Sequence, residues 1–287
     1  MGVWQVDFYR RPLRDATGQM LWELLICNSE GRLIYDGLCP QQYANIDWLV
    51  SQLQNAAGAS GQPDVIQVFR PQSLGLVTAA GQKLGIAVEA TRRTPALKQW
   101  LQARASQYPK QDNYTGEAYN PIALDKPPPL PLPENLWGEQ WRFATLSAGS
   151  IEEAFAERPI PILQMPELLL PINLGLASTL PVPGVVIDGG RQSMQLARWL
   201  QDSEPVALNY IAGAPDGLVL EAGLADRWIV ATFEDQEVAA AAQTYEQRKQ
   251  ASKGLHFLIV QPVNRRWAAQ VVVANQLPLP DVLIMVG

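Results

Sequence analysis

The sequence predicts an α/β protein of two α/β domains, and three observations carry that expectation. Apolar residues alternate with period two over the first forty positions. Helical spacing and short apolar strands then alternate as far as Gln107. A proline-rich stretch follows, and a second alternation of strands and helices begins beyond it.

The first elements are extended. Trp4–Leu13 (WQVDFYRRPL), Gln19–Asn28 (QMLWELLICN) and Arg32–Pro40 (RLIYDGLCP) are rich in aromatic and β-branched residues. The joints RDATGQ and NSEGR hold the Asp, Asn, Ser and Gly of hairpin turns, so the three runs read as consecutive antiparallel strands. Helical spacing then takes over. Asn45 is placed as an N-cap, Trp48, Leu49, Leu53 and Ala56 share a face, and Gly58 and Gly61 end the helix.

Asp64–Arg70 (DVIQVFR) reads as a short buried strand, Gln72–Gly85 as a helix and Ile86–Arg93 as a strand. Thr94–Gln107 reads as a helix with Pro95 at its first position. The order β-β-β-α-β-α-β-α is that of a ribonuclease H-like mixed sheet, with three antiparallel strands followed by parallel crossovers. This N-terminal α/β domain is expected over 1–115.

A Pro-rich linker is expected over 116–136, because KPPPLPLP favours polyproline II and acts as a semi-rigid spacer. The C-terminal α/β domain is expected over 137–287. In it, Trp141–Ser147, Pro183–Gly190, Ala207–Ala212, Gly217–Gly223, Arg227–Phe233 and Leu255–Pro262 read as strands. Ser150–Glu157, Arg191–Asp202 and Glu234–Gly254 read as helices.

Composition bounds the function. A hydrophobic share of 47% with 17% charged residues belongs to a folded chain, not a disordered one. The most apolar stretch, Ile162–Val186, is broken by Glu167 and by Pro166, Pro171, Pro181 and Pro183, so no integral membrane segment is expected. The opening residues enter a strand without an apolar leader, which points to a cytoplasmic location. Cys27 and Cys39 lack a partner set and read as reduced thiols. The lone His256 reads as a buried strand residue.

Charge is unevenly spread. Through Thr115, 11 Lys plus Arg face 9 Asp plus Glu, whereas from Gly116 onward 11 face 19. The acidic whole argues against nonspecific duplex binding but leaves room for a local basic patch in the first half.

Chemistry-bearing motifs are sparse. A two-metal nuclease on this fold needs carboxylates on neighbouring elements to grip one phosphate between two ions. Asp7 on the first strand is a candidate and Asp47 on the first helix a looser one, but Arg70 stands where another carboxylate is wanted. The turn VIDGGRQ (Val186–Gln192) lacks both GxGxxG spacing and a GK[ST] ending, so it reads as a tight strand-to-helix turn. No catalytic residue, metal ligand or cofactor site is assigned.

The basic stretch remains. Arg70, Arg92 and Arg93 end parallel strands, where α/β sheets place ligand contacts, and Lys98 and Arg104 follow on the helix. These five, with Tyr108 as a stacking ring, are the candidate RNA-binding residues, and Tyr114 is a second ring. The alternative pairs the arginines internally with Glu23, Asp47 or Glu89. Leu97, Trp100, Leu101 and Ala105 form the expected buried stripe, so Trp100 reads as core.

Several strings resemble one family in order: WQVDFYRRPL, WELLICN, NIDWLVSQL, FRPQ, TRRTPALKQWLQARASQYP, LPENLWGEQWRF, GLVLEAGLADRW and HFLIVQP. The chain is similar to the Tab-two-like proteins of cyanobacteria and plastids over nearly its whole length. The resemblance implies a non-enzymatic RNA-binding protein that recognises single-stranded, A/U-rich messenger-RNA leaders and supports translation of photosystem subunits. Ribosomal or photosystem-assembly proteins are the implied protein partners. The sequence departs at Leu279–Gly287 (LPDVLIMVG), where no tryptophan stands in place of the family's Trp-Leu-Leu element. Two other readings stay open: an assembly scaffold built on the acidic half and the polyproline run, and a metal-dependent nuclease using Asp7.

Overall fold

The computed structural model describes residues 2–156, 170–262, 269–274 and 282–286. The chain divides into two compact units, 1–125 and 126–287.

The first unit is one five-stranded mixed sheet. Strands β1 (Val3–Arg14), β2 (Met20–Asn28) and β3 (Leu33–Pro40) form an antiparallel meander, with Phe8 opposite Leu24 and Leu25 opposite Asp36. Strands β4 (Val65–Val68) and β5 (Ala87–Ala90) add in parallel on the other side of β1, giving the order β3-β2-β1-β4-β5. This is the ribonuclease H-like order that the sequence predicts. The crossovers are helices α1 (Ile46–Ser60) and α2 (Pro71–Leu84), and α3 (Pro95–Ala105) closes the unit.

Local chemistry sets the helix ends. The Asn45 side chain accepts from Trp48 N–H at 3.0 Å as the N-cap of α1, and Gly85 ends α2 in the left-handed conformation. At α3 the expected cap is positioned but not used: Thr94 is the N-cap residue, yet its buried hydroxyl has no hydrogen-bond partner.

Two cores flank the sheet. Trp4, Val6, Phe8, Leu24 and Ile26 meet Leu49, Leu53, Val77 and Ala80 of α1 and α2. Leu25, Cys27 and Phe69 meet Leu97 and Leu101 of α3. Trp100 is half-buried against this second core, with Nε1 donating to Gly31 O at 2.8 Å.

The second unit has two sheets. One runs β6 (Leu130–Pro131), β11 (Asp226–Phe233), β10 (Asp216–Ala222), β9 (Pro205–Ile211). The other runs β14 (Val282–Val286), β13 (Ala269–Ala274), β12 (Leu255–Gln261), β8 (Pro181–Asp188), β7 (Gln140–Ser147). A short helix α4 (Ile151–Ala156) follows β7, and α5 (Ser193–Asp202) and α6 (Gln236–Ala251) pack on the sheets. Val185, Ile187, Leu196, Leu200, Leu208, Leu218, Leu220 and Leu258 form the main core. Strands β13 and β14 are additions to the sequence reading.

Segment 116–136 contributes to both units. Arg70 donates to Pro121 O and Ala123 O at 2.6 and 2.9 Å, while Leu130 and Pro131 pair with β11. Among the described residues no helix is long and apolar enough to cross a membrane. Residues 162–169 of the apolar stretch lie outside the described residues, as do 275–281 and 287 at the C-terminal departure from the family pattern.

His256 is fully buried in β12. Its Nε2 accepts from Leu208 N–H at 3.0 Å and its Nδ1 faces Gly254 O at 2.7 Å, which fixes a neutral ring protonated at Nδ1. Burial, with the charge of Lys249 nearby, holds its pKa well below the ordinary histidine value.

Candidate nucleic-acid interface

The chemistry-bearing residues of the first unit converge beneath the C-terminal half of β1. Period-two geometry sends Asp7 and Arg11 to the same face, and the antiparallel register sets Glu23 opposite Tyr9. Arg70, carried at the end of β4, reaches across to Asp7. The result is a buried ion cluster: Arg70 Nε to Asp7 Oδ1 at 2.9 Å, Arg11 Nη2 to Asp7 Oδ2 at 2.8 Å, and Arg11 Nε to Glu23 Oε2 at 2.7 Å. Tyr108 donates its hydroxyl to the same Glu23 oxygen at 2.7 Å, and Arg11 Nη1 donates to the Tyr119 hydroxyl at 3.0 Å.

Burial pushes the Asp7 carboxyl up, but the Arg70 and then the Arg11 guanidiniums outweigh it and hold the group below its usual value. Burial likewise raises the Tyr108 and Tyr119 phenols, so both stay protonated, Tyr108 as a donor to Glu23 and Tyr119 as the acceptor of the Arg11 bond. Both Asp7 oxygens are therefore occupied by guanidiniums. Asp47 sits in the exposed first turn of α1, paired with Lys83 at 2.8 Å. Among the described residues no group of three or more His, Cys, Asp or Glu side chains is arranged to hold a metal ion.

The structure distributes the six sequence-predicted contact residues unevenly. Arg70, Arg92, Lys98 and Tyr108 are buried, and Lys98 Nζ donates to Arg92 O at 2.8 Å. Arg104 is partly exposed and bridges Asp36 and Glu23. Arg93 is exposed at the head of α3. Arg70, Arg104 and Tyr108 are brought together through Asp7 and Glu23, whereas Arg93 stands apart at the other end of α3. Tyr114 is half-buried and pairs with Leu13.

Above the cluster lies a cleft of about 200 Å³, whose lining includes Tyr9, Arg10, Met20, Gln72, Asn120 and Asp125. The Arg70 guanidinium lies 4.2 Å from the Tyr9 ring centroid, which fixes that ring at the cleft wall. Arg10 and Arg14 are exposed on β1, and Lys110 is exposed in the turn after α3. The chain links them, because Arg14 N–H donates to Asn113 O and Thr115 N–H to Pro12 O, both at 3.0 Å. Sequence reasoning passed over Arg10 and Arg14. Their signal was a break in the pattern: Arg10 continues the β1 face of Trp4, Val6 and Phe8 that packs on α1 and α2, and a cation in place of an apolar residue marks where that cover ends.

The second unit holds a larger and more apolar cavity of about 360 Å³ between Trp137, Trp141, Ile187 and β11 residues Ile229–Thr232. At VIDGGRQ, a Cβ on Gly190 would fall on the Glu139 carboxylate. An acidic side chain thus occupies the space over that turn, which is a tight strand-to-helix connection.

Two family models match the chain: RNA-binding protein Tab2/Atab2 N terminal over residues 3–104, and the Tab2/Atab2 C-terminal domain over residues 119–270. A Zea mays protein named Protein TAB2 homolog, chloroplastic, is 32% identical over 266 residues, covering 90% of this chain and 67% of that protein. An Arabidopsis thaliana protein of the same name is 30% identical over 264 residues, covering 90% and 70%. Among solved structures, the HTLV-2 integrase catalytic core in its trimeric form aligns with 36% of this chain and 70% of its own, at 11% identity and a TM-score of 0.25.

Proposed function

The chain belongs to the Tab2/Atab2 family of RNA-binding proteins, and on that premise we propose that it binds single-stranded, A/U-rich messenger-RNA leaders and supports translation of photosystem subunits without catalysing a reaction. The observation that carries the non-catalytic part is the Asp7 cluster. A nuclease on this fold would offer Asp7 to a metal ion, and here both carboxylate oxygens accept from buried arginines instead.

The proposed phosphate contacts are the accessible cations around the end of β1: Arg10, Arg14, Lys110 and the exposed side of Arg104, with Arg93 as a separate contact at the head of α3. Tyr9 and Tyr114 are the rings offered to unstacked bases. Arg70, Arg92, Lys98 and Tyr108 act beneath this surface, where they hold β1, β4 and α3 in register.

The test is anisotropy of a labelled A/U-rich strand against a C-rich strand of equal length, followed by incubation with Mg²⁺ or Mn²⁺. Tighter binding to the A/U-rich strand, with the RNA left intact, supports the reading. No binding to either strand, or cleavage abolished by Asp7→Asn, overturns it.

A further inference from the structure

The apolar cavity of the second unit lies against a sheet edge that is only partly covered. Strand β6 pairs with β11 at two positions, Leu130 with Trp228 and Pro131 with Ile229, and Leu132 N–H adds a bond to Ile229 O at 3.3 Å. Beyond Ile229, the outer edge of β11 from Val230 to Phe233 has no strand beside it among the described residues, while its inner edge pairs with β10 except at Val230, which is bulged between Ile229 and Ala231. Ile229–Thr232 line the cavity directly. An uncovered edge presents a row of backbone donors and acceptors, roughly 13 Å long for four residues, which is a template for one more strand.

The opposite wall is preformed. Trp137 is 56% exposed, yet its Nε1 donates to Leu132 O at 2.7 Å and its backbone N–H to Glu134 O at 3.2 Å. Glu139 N–H donates to Asp188 O at 2.7 Å, and Gly138 lies so close to β8 that a Cβ would meet Ile187 Cγ2 at 2.3 Å. Trp141 is fixed edge-on to Phe143 and tilted against Phe233, with centroids 5.4 and 5.5 Å apart. Two held indoles beside an open edge are rigid anchors that lose little entropy on binding.

Charge selects the occupant. The exposed acids in the bordering segments are Glu134, Glu139, Glu234 and Asp235. Against them stand Arg142, already paired with Asp188 at 2.8 Å, and Arg191 in the turn that Glu139 overlies. This rim is net acidic and repels a phosphate backbone, while an apolar strand flanked by Lys or Arg complements it.

We propose that the second unit binds an extended peptide of a partner protein. The peptide adds a strand to β11 at Val230–Phe233, sets an apolar side chain between Trp137 and Trp141, and places basic flanks against the acidic rim. This site is independent of RNA binding by the first unit.

The test is selection of a displayed random dodecapeptide library on the full chain. The enriched peptide is then synthesised with and without N-methylation of alternate backbone amides. The expected peptides alternate apolar residues and carry Lys or Arg at their ends. Binding falls at least tenfold on N-methylation and at least tenfold to Trp137→Ala, and several-fold to Glu139→Lys with Glu234→Lys. Enrichment of no peptide, of peptides without alternation or basic flanks, or of peptides indifferent to N-methylation overturns the proposal. Quenching of Trp137 by a uridine dodecanucleotide that displaces the peptide also overturns it and gives the cavity to nucleic acid.

Discussion

Neutralising Asp7 is the most informative perturbation of the first unit. In Asp7→Asn the side chain keeps its shape but loses the charge that two buried guanidiniums share, Arg70 at 2.9 Å and Arg11 at 2.8 Å. Arg11 retains Glu23, whereas Arg70 is left with the Pro121 and Ala123 carbonyls, which cannot neutralise it. Breaking a buried ion pair from one side costs about 3–5 kcal/mol. For a unit of this size that lowers Tm by roughly 10–20 °C. The assay is thermal and urea unfolding of the full chain, followed by near-UV circular dichroism.

The sign of that change separates two accounts. A carboxylate kept for metal catalysis strains its surroundings, so its removal commonly stabilises the protein. A destabilisation below about 1 kcal/mol, or a rise in Tm, would refute the account of Asp7 as a structural counter-ion. The pH dependence runs the same way. Asp7 has a folded pKa below its unfolded value, so its contribution is fully present above about pH 4 and is lost as pH falls through the folded pKa. Wild type and Asp7→Asn therefore differ most at neutral pH and converge in strong acid.

Other outcomes follow from the same structure. His256 is held neutral by burial, so the unfolded chain takes up a proton below about pH 6.5 that the folded chain refuses. Stability then falls by about 1.4 kcal/mol per pH unit as pH drops below that point, and His256→Gln flattens this part of the profile in pH-dependent urea titrations. Gly184→Ala places a methyl 2.2 Å from the Phe257 ring and should cost roughly 1–3 kcal/mol, measured as a lower urea midpoint at unchanged m-value. Cys27 and Cys39 are buried thiols with pKa values pushed up to about 12 and about 11, so neither reacts with a thiol reagent at pH 8 until the chain unfolds.

The strand order of the first unit was legible because each element advertised its period: two for β1 to β3, then helical faces capped by Asn45 and Gly85. The register of the ion cluster was less so. Asp7 and Arg11 are four apart on one strand, a spacing that gives them a common face only once a strand is granted, and Glu23 and Arg70 enter from β2 and β4. Sequence alone therefore grouped Arg70 with Arg92 and Arg93 as candidate RNA contacts and left their internal pairing open, since burial depends on what packs above a strand end. Pro121 and Ala123, from a stretch that reads as linker, supply that cover to Arg70. The cavity of the second unit was hidden for a similar reason: Trp137 and Trp141 meet β11 across some ninety residues of chain, a pairing no local pattern encodes.

The measurement that tests RNA binding most directly is the salt dependence of affinity for an A/U-rich single strand. Wild type is compared with Arg10→Gln, Arg14→Gln and Lys110→Gln combined, all exposed positions whose replacement should leave the fold intact. At about 0.7 counterion released per single-strand phosphate, these three contacts contribute roughly 2 to the slope of log K against log salt. Wild-type affinity should then fall at least tenfold between 50 and 200 mM salt, by the same relation at roughly these concentrations. The triple variant should bind more weakly, with a slope shallower by roughly 2. An unchanged slope in a folded triple variant would contradict the placement of the phosphates, and a wild-type slope of zero would contradict RNA binding by this surface altogether.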